Sequence, residues 1–177
     1  MTDPSRTTLP HLTTRDGLTR VAIWCAYTSG AVSIFGIVSL AAFLATFIGP
    51  LGFLNDTAVV IQYVLMIPIV LALHQILWGF GPTLSRVALL LGIPGLLAVI
   101  VLQLLFITDV LPYAQYIVLV SAGFLVVPGW FLIVRLLGQS TDVLPRSILL
   151  HILAGLYVGY PFWAFSLARR LRAPARV

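Results

Sequence analysis

Two histidines near the ends of apolar segments carry the side chains best suited to chemistry. His74 lies four residues before Trp78, and His151 lies five residues after Arg146. At 1.5 Å per helical residue, His74 is expected about 6 Å inside the edge of a helix bundle, with His151 at a similar depth. Two such imidazoles on separate helices can ligate a haem iron, relay a proton or bind a metal. Interfacial or helix-bridging hydrogen bonding explains them equally well, and we favour that interpretation.

Other polar side chains form two predicted layers. The layer that contains the histidines also holds Gln75, Arg135 and Ser147. The outer layer consists of Gln62, Gln103 and Gln115, together with the nearby loop residues Asn55, Asp56, Asp109 and Tyr113. These groups can line a polar cavity, or they can form hydrogen bonds between helices, worth about 0.6 kcal/mol each. Both interpretations remain open from the sequence.

Patterns typical of catalytic centres are missing from the sequence. There is no GxSxG, HExxH or phosphate-binding loop and no paired carboxylates, so we expect a non-enzymatic protein. No acidic residue lies in the middle of an apolar segment, which disfavours a carboxylate-driven proton pump. The single Cys25 excludes an internal disulfide, and no Cys/His cluster indicates zinc. We therefore predict no cofactor and no metal.

The composition indicates that lipid is the main solvent of this chain. Of its 177 residues, 60% are hydrophobic and only 8% are charged, with a mean hydropathy of +1.10. A soluble domain is nearer half apolar and a quarter charged. All ten basic residues are arginines at the ends of apolar runs, where membrane proteins use them as anchors. This placement argues for a membrane surface and against nucleic acid as the partner.

Five apolar segments predict the fold class, an all-α integral membrane bundle of five transmembrane helices. Each has the roughly 20 residues that cross a hydrocarbon core of about 30 Å. The predicted spans are 21–48, 57–78, 87–107, 113–134 and 147–168. Residues 1–20 are expected to form a polar cytoplasmic tail and residues 169–177 a basic tail. The short connections between the spans leave no room for a folded domain outside the membrane.

Internal prolines predict kinks in most of these spans. Proline removes a backbone donor and bends a helix. The predicted hinge positions are Pro68, Pro94, Pro128 and Pro161. Pro94 and Pro128 are expected at the same depth, about 10–12 Å from the cytoplasmic side. Two kinks at one depth can open a cavity, although proline and glycine are also simply common in membrane helices.

Small residues predict where helices approach one another closely. In the first span these are Gly30, Ser33 and Gly36, and in the last span they are Gly155 and Gly159. Where lipid gives no hydrophobic drive to association, small residues permit close packing. They can serve contacts within the chain, which we favour, or a homodimer.

The arginines leave the topology of the last segment open. A cytoplasmic N-terminus places Arg6, Arg15, Arg20, Arg86, Arg135 and Arg146 inside, as the positive-inside rule requires. With five spans, Arg169, Arg170, Arg172 and Arg176 then lie outside. Three arrangements are compatible: five spans with an exported basic tail, which we favour; a last segment broken at Gly159-Tyr160-Pro161 that re-enters on the same side; and insertion in both orientations.

The ending GYPFWAFSLARRLR follows a proline-glycine span and a short arginine loop. It resembles the last span of uncharacterised small multi-spanning bacterial inner-membrane proteins. The resemblance implies a bacterial inner-membrane location and carries over no activity or site residues.

A membrane scaffold, partner subunit or sensor is the function that we expect. A small-molecule carrier is the alternative, and a bis-histidine haem electron carrier is a third possibility. The expected partners are membrane lipids, with anionic headgroups at the terminal arginines, and a second copy or another membrane protein.

Overall fold

The computed structural model describes residues 10–140, 144–145 and 147–172, with side chains from residue 17 onward except at 124 and 140. In this part of the chain, the order is α1 (Pro10–Thr46), α2 (Gly49–Leu77), α3 (Pro82–Ile107), α4 (Tyr113–Leu137), a 3-10 turn (Gly138–Ser140), α5 (Ile148–Gly155) and α6 (Tyr160–Arg172). No strand occurs among the described residues, so the predicted all-α fold is confirmed.

Helices of four predicted spans are long and apolar enough to cross a membrane. They are Gly17–Thr46 within α1, and the whole of α2, α3 and α4. At about 1.5 Å per residue, each exceeds the 30 Å hydrocarbon core. The protein is therefore a polytopic membrane protein. Helix α1 begins at Pro10, so residues 10–20, expected in a polar tail, are helical.

The predicted fifth span does not form one continuous helix, so five spans are not confirmed. Segment 147–168 is divided between α5, of 8 residues, and α6, which begins at Tyr160 and has 13 residues. These helices are about 12 and 20 Å long, so neither crosses a membrane alone. The chain reverses between them at Tyr157, whose φ of 73° is in the left-handed region. Pro161 therefore lies at the start of α6, where its missing N–H costs no helical hydrogen bond.

Helices α5 and α6 form an antiparallel hairpin that packs among the long helices. Helix α6 runs along α1, with the Tyr160 hydroxyl 2.7 Å from Ser29 Oγ. Helix α5 packs on α4, and its last residue, Gly155, faces the backbone of Pro128. The hairpin tip, Tyr157, reaches Gly36, which lies 16 residues or about 24 Å along α1 from Arg20. Both ends of the hairpin consequently return to the end of the bundle that carries Arg20.

Charge is separated along the bundle. The arginines whose side chains are described lie at one end: Arg20, Arg86, Arg135, Arg169, Arg170 and Arg172. Asp56 and Asp109 lie toward the opposite end. Arg6, Arg146, Arg176 and the side chain of Arg15 are outside the described residues. We call the two ends the arginine end and the acidic end.

The small residues predicted for helix packing mostly contact the hairpin. Phe165 packs against Gly30, the Tyr157 hydroxyl against Gly36, and Gly155 against α4. Ser33 is fully buried in α1.

Three of the predicted hinge prolines lie inside helices that continue through them. Pro68 is in α2, Pro94 in α3 and Pro128 in α4. Pro94 is exposed on the bundle surface, whereas Pro128 is half-buried behind α5. Pro128 is thus part of the α4 surface on which the hairpin packs.

Candidate functional site

His74 joins α2 to α3 near the arginine end. Its Nδ1 lies 2.8 Å from Ser85 Oγ, while Ser85 Oγ donates to the His74 carbonyl oxygen at 3.2 Å. Nδ1 also lies 3.1 Å from the Ser85 carbonyl oxygen, which can only accept, so Nδ1 carries a proton in this arrangement. The His74 ring meets Trp78 edge-on, with 5.3 Å between the ring centroids. The Arg86 guanidinium carbon lies over the Trp78 ring, 4.8 Å from its centroid. Gln75, beside it, is exposed. The contacts among His74, Trp78 and Arg86 are typical of an anchor at a membrane interface.

His151 occupies a different interface, between the hairpin and α4. It is 0% exposed, and its Nδ1 lies 2.9 Å from the Ser147 carbonyl oxygen. A carbonyl only accepts, so Nδ1 carries a proton and donates this hydrogen bond. Nε2 has no hydrogen-bond partner among the described residues. Trp163 packs edge-on at 6.1 Å, and Arg135 is close enough for electrostatic interaction.

The structure does not bring the two histidines together. His74 bonds to α3, whereas His151 bonds to Ser147 just before α5 and packs on α6. Among the described residues, no group of three or more His, Cys, Asp or Glu side chains has the arrangement of a metal site. The shared depth predicted from the sequence therefore does not correspond to a shared site in this fold.

A second group of polar side chains lies in the acidic half of the bundle, and we call it the outer polar cluster. Its members come from α2, α3, α4 and the hairpin tip: Asn55, Asp56, Gln103, Tyr116 and Tyr157. Asn55 Nδ2 donates to Asp56 Oδ1 at 3.3 Å, and the Tyr116 hydroxyl donates to Gln103 Oε1 at 2.6 Å. The Tyr157 hydroxyl reaches Asn55 Oδ1 at 3.5 Å. Four elements thus converge on one carboxylate.

Asp56 lies further inside the bundle than its sequence position predicts. Helix α2 begins at Gly49 and not at Thr57, which places Asp56 seven residues, or about 10 Å, into the helix. Its side chain is half-buried. The sequence predicts a loop here because Gly49, Pro50 and Gly52 suggest a break, whereas the proline stands in the first turn of the helix, where it is tolerated.

Tyr157 is the member of the cluster that could not be identified from the sequence. It reaches the cluster because the chain reverses at this residue, and because Gly36 leaves space for its hydroxyl group. Gly36 is one of several small residues in α1, and nothing in its sequence context indicates Tyr157, so distant in the chain, as its partner. Because a bulky residue such as tyrosine rarely adopts a left-handed backbone conformation, the sequence does not predict the chain reversal at Tyr157 either.

The predicted outer-layer glutamines differ in burial. Gln62 and Gln103 are each 2% exposed, whereas Gln115 is exposed at the start of α4. The Gln103 side chain faces Asp56, although its Nε2 makes no hydrogen bond of good geometry with a described residue. Gln62 Oε1 likewise lacks a partner in the described part of the chain. Buried amide groups without partners are rare in folded proteins.

A groove between α1 and α2 opens on the bundle surface, with a volume of about 340 Å³. Its lining is apolar apart from Thr57, and it includes none of the predicted cavity residues: Ala31, Val32, Phe35, Leu54, Thr57, Ala58 and Ile61. It therefore differs in place and chemistry from the polar cavity that the sequence suggests.

The comparisons with known proteins identify no family. No family model, curated protein or solved structure matches this chain. The arrangement of its own residues is therefore the only basis for assigning a function.

The His74 anchor gives a first prediction. We expect His74→Ala to lower the free energy of unfolding by about 0.6–1.7 kcal/mol, because it removes the hydrogen bond between α2 and α3 and the edge contact with Trp78. Unfolding in mixed micelles with increasing SDS measures the change. Gln75→Ala, at the exposed neighbour, should leave stability unchanged. An equal loss in both variants would contradict a specific role for the bond.

Proposed function

We propose that this polytopic protein is a non-enzymatic scaffold or partner subunit of a bacterial inner membrane. It has four crossings and a re-entrant hairpin. The observation that carries the proposal is the filled core beneath the hairpin. Trp130, Phe131 and Trp163 are each at most 2% exposed, and the rings of Phe131 and Trp163 meet edge-on at 4.8 Å. Such a core fixes the helices in one arrangement.

The hairpin supports this role because it packs on both α1 and α4 in the arginine half of the bundle. Tyr160 bonds to α1, and Trp163 packs edge-on against Trp130 of α4 at 6.2 Å. Non-helical backbone at membrane depth is tolerated where it is buried in protein, and here Gly36 and Asn55 lie against Tyr157 at the reversal. A solid bundle with short loops offers its lipid-facing helices and its two ends to partners.

The arginine end is proposed to face the cytoplasm. Arginine-rich ends are retained there by the positive-inside rule. A hairpin that re-enters puts Arg169, Arg170 and Arg172 on the same side as Arg20, which removes the conflict that five spans create. These arginines are then placed to bind anionic headgroups, at about 1 kcal/mol per charge near the surface.

A small-molecule carrier is the second candidate, and the outer polar cluster is the observation that favours it. Polar side chains inside a membrane are costly and commonly mark ligand paths. Here a carboxylate, two tyrosine hydroxyls and a buried amide meet at the tip of a hairpin. A hairpin tip that moves away from α2 would open the cluster.

Reconstitution separates the two candidates. As a scaffold, the purified protein should form one stable oligomer by light scattering, and liposomes that contain it should pass ammonium ions, alkali ions and amino acids no faster than empty liposomes. Flux that requires the protein and disappears in Asp56→Asn would overturn the scaffold proposal in favour of the carrier.

A further inference from the structure

Asp56 is a carboxylate with no basic partner among the described residues of its half of the bundle. The sequence contains no lysine, and every arginine with a described side chain lies at the opposite end. The Asp56 side chain is half-buried, and the groups that face it are neutral: the Asn55 amide, whose Nδ2 lies 3.3 Å from Asp56 Oδ1, and the Gln103 amide. A carboxylate removed from water is costly unless it is paired with a positive charge.

Two side-chain oxygen atoms on the helix that carries this carboxylate lack a full complement of donors among the described residues. Asn55 Oδ1 receives only the long 3.5 Å bond from the Tyr157 hydroxyl among the described contacts. Gln62 is on the same face of α2 as Asn55, two turns further in, and its Oε1 has no partner among the described residues. An unpartnered acceptor in a residue 2% exposed indicates a missing donor or cation.

We propose that the outer polar cluster binds one small monovalent cation, with Asp56 as its counter-ion and amide and hydroxyl oxygens as its other ligands. One carboxylate balances one positive charge, so the occupied site is neutral. Divalent ions such as Ca²⁺ usually require several carboxylates and six to eight oxygens. Asp109, the other carboxylate with a described side chain, is exposed in the α3–α4 connection. The ligand class is therefore an alkali ion or a small protonated amine.

Gln103 is a positioning residue in this site. Its amide is held by the Tyr116 hydroxyl at 2.6 Å, and a tyrosine hydroxyl can either donate or accept. If the amide turns by 180°, its nitrogen donates to Tyr116 and its oxygen faces the Asp56 side. The buried Gln103 can thus present an oxygen to a cation without losing its bond to α4.

The cation also ties the hairpin to the long helices. Tyr157 shares Asn55 with the site, so an ion held by Asp56 and Asn55 is coupled to the position of the hairpin tip. Occupancy should therefore stabilise the folded hairpin. This site goes beyond the scaffold role and does not require it, because equilibrium binding can be measured without transport or a partner.

The test is the melting temperature of the purified full-length protein in detergent, followed by tryptophan fluorescence. Sodium, potassium and methylammonium chloride are compared with N-methylglucamine chloride, whose cation is too large, at one ionic strength. We expect at least one small cation to raise the melting temperature saturably by about 2–4 °C or more. Sodium or potassium as the active salt identifies an alkali-ion site, whereas methylammonium alone identifies an amine site.

Variants locate the effect. Asp56→Asn should abolish the shift, and Gln62→Leu should raise the half-saturating concentration several-fold. Asp109→Asn is the matched control, because Asp109 lies at the same end but is exposed in the α3–α4 connection. Equal melting temperatures in all four salts would overturn the proposal even if Asp56→Asn failed to fold. An unchanged shift in Asp56→Asn would also overturn it.

Discussion

A reporter that fluoresces only in the cytoplasm is expected to be bright when it is fused after Val177, and alkaline phosphatase at the same position is expected to be inactive. The reason is the return of α6 to the arginine end, where Arg169 and Arg172 lie beside the start of the first span. Exporting so many arginines would contradict the positive-inside rule. Each reporter is active on only one side of the membrane. A single orientation should therefore give a nearly full signal from the fluorescent reporter and almost none from the phosphatase.

The same pair of reporters in the α3–α4 connection, after Asp109, provides the control and should give the reverse pattern. An exclusively external signal at the C-terminus would mean five crossings and would reject the re-entrant hairpin. Comparable signals from both reporters would indicate insertion in both orientations, and an antiparallel dimer would then become the leading arrangement.

Substituting the two glycines that shape the hairpin is expected to give the largest loss of stability. In Gly155→Ala the new Cβ would lie 2.7 Å from Pro128 Cα, and in Gly159→Ala it would lie 2.6 Å from the carbonyl carbon of Leu153. Both neighbours are backbone atoms, which cannot rotate away. Overpacking of this kind typically costs about 1–3 kcal/mol per site. Unfolding in SDS-containing micelles measures it.

Gly129→Ala is the matched control, because Gly129 is next to Pro128 in α4 and nothing lies within 4 Å of the position that its new methyl group would take. Alanine is the better helix former by about 1 kcal/mol, so this variant should be neutral or stabilised. Tolerance of alanine at positions 155 and 159 would mean that the hairpin does not pack as described.

The spans that could be predicted are those in which local chemistry decides the outcome. Residues 57–107 consist of two long apolar runs separated by a short break at Gly79 to Pro82. Helix α2 ends at Leu77, just before this break, and α3 begins at Pro82. In lipid, each such run must form a helix to satisfy its own backbone groups. No contact with another part of the chain is needed for that result.

The sequence left the last segment open between a fifth span and a re-entrant pair, because its shape depends on distant residues. Residues 147–168 are apolar throughout and long enough to span, which favours a fifth helix. The reversal at Tyr157 is held by the close fit of Gly155 to Pro128 and of Tyr157 to Gly36. The Tyr160 hydroxyl at Ser29 Oγ adds a polar contact that spans 131 positions.

The polar residues likewise divide into those that the sequence identifies and those whose contacts depend on the tertiary structure. Gln62 and Gln103 are identifiable as intramembrane polar groups from the sequence, since any amide in an apolar run is conspicuous. The structure separates His74 from His151 and places Asp56 inside α2, because helix rotation and helix start determine which side chains meet.

By itself, the sequence determined the apolar solvent and the four long helices, because these follow from the composition of each local segment. Only the tertiary structure decided between a fifth span and a segment that folds back, and only the tertiary structure brought Asp56, Gln103 and Tyr157 together. Those features depend on contacts of a few ångströms between residues far apart in the chain, and hydropathy carries no information about such contacts.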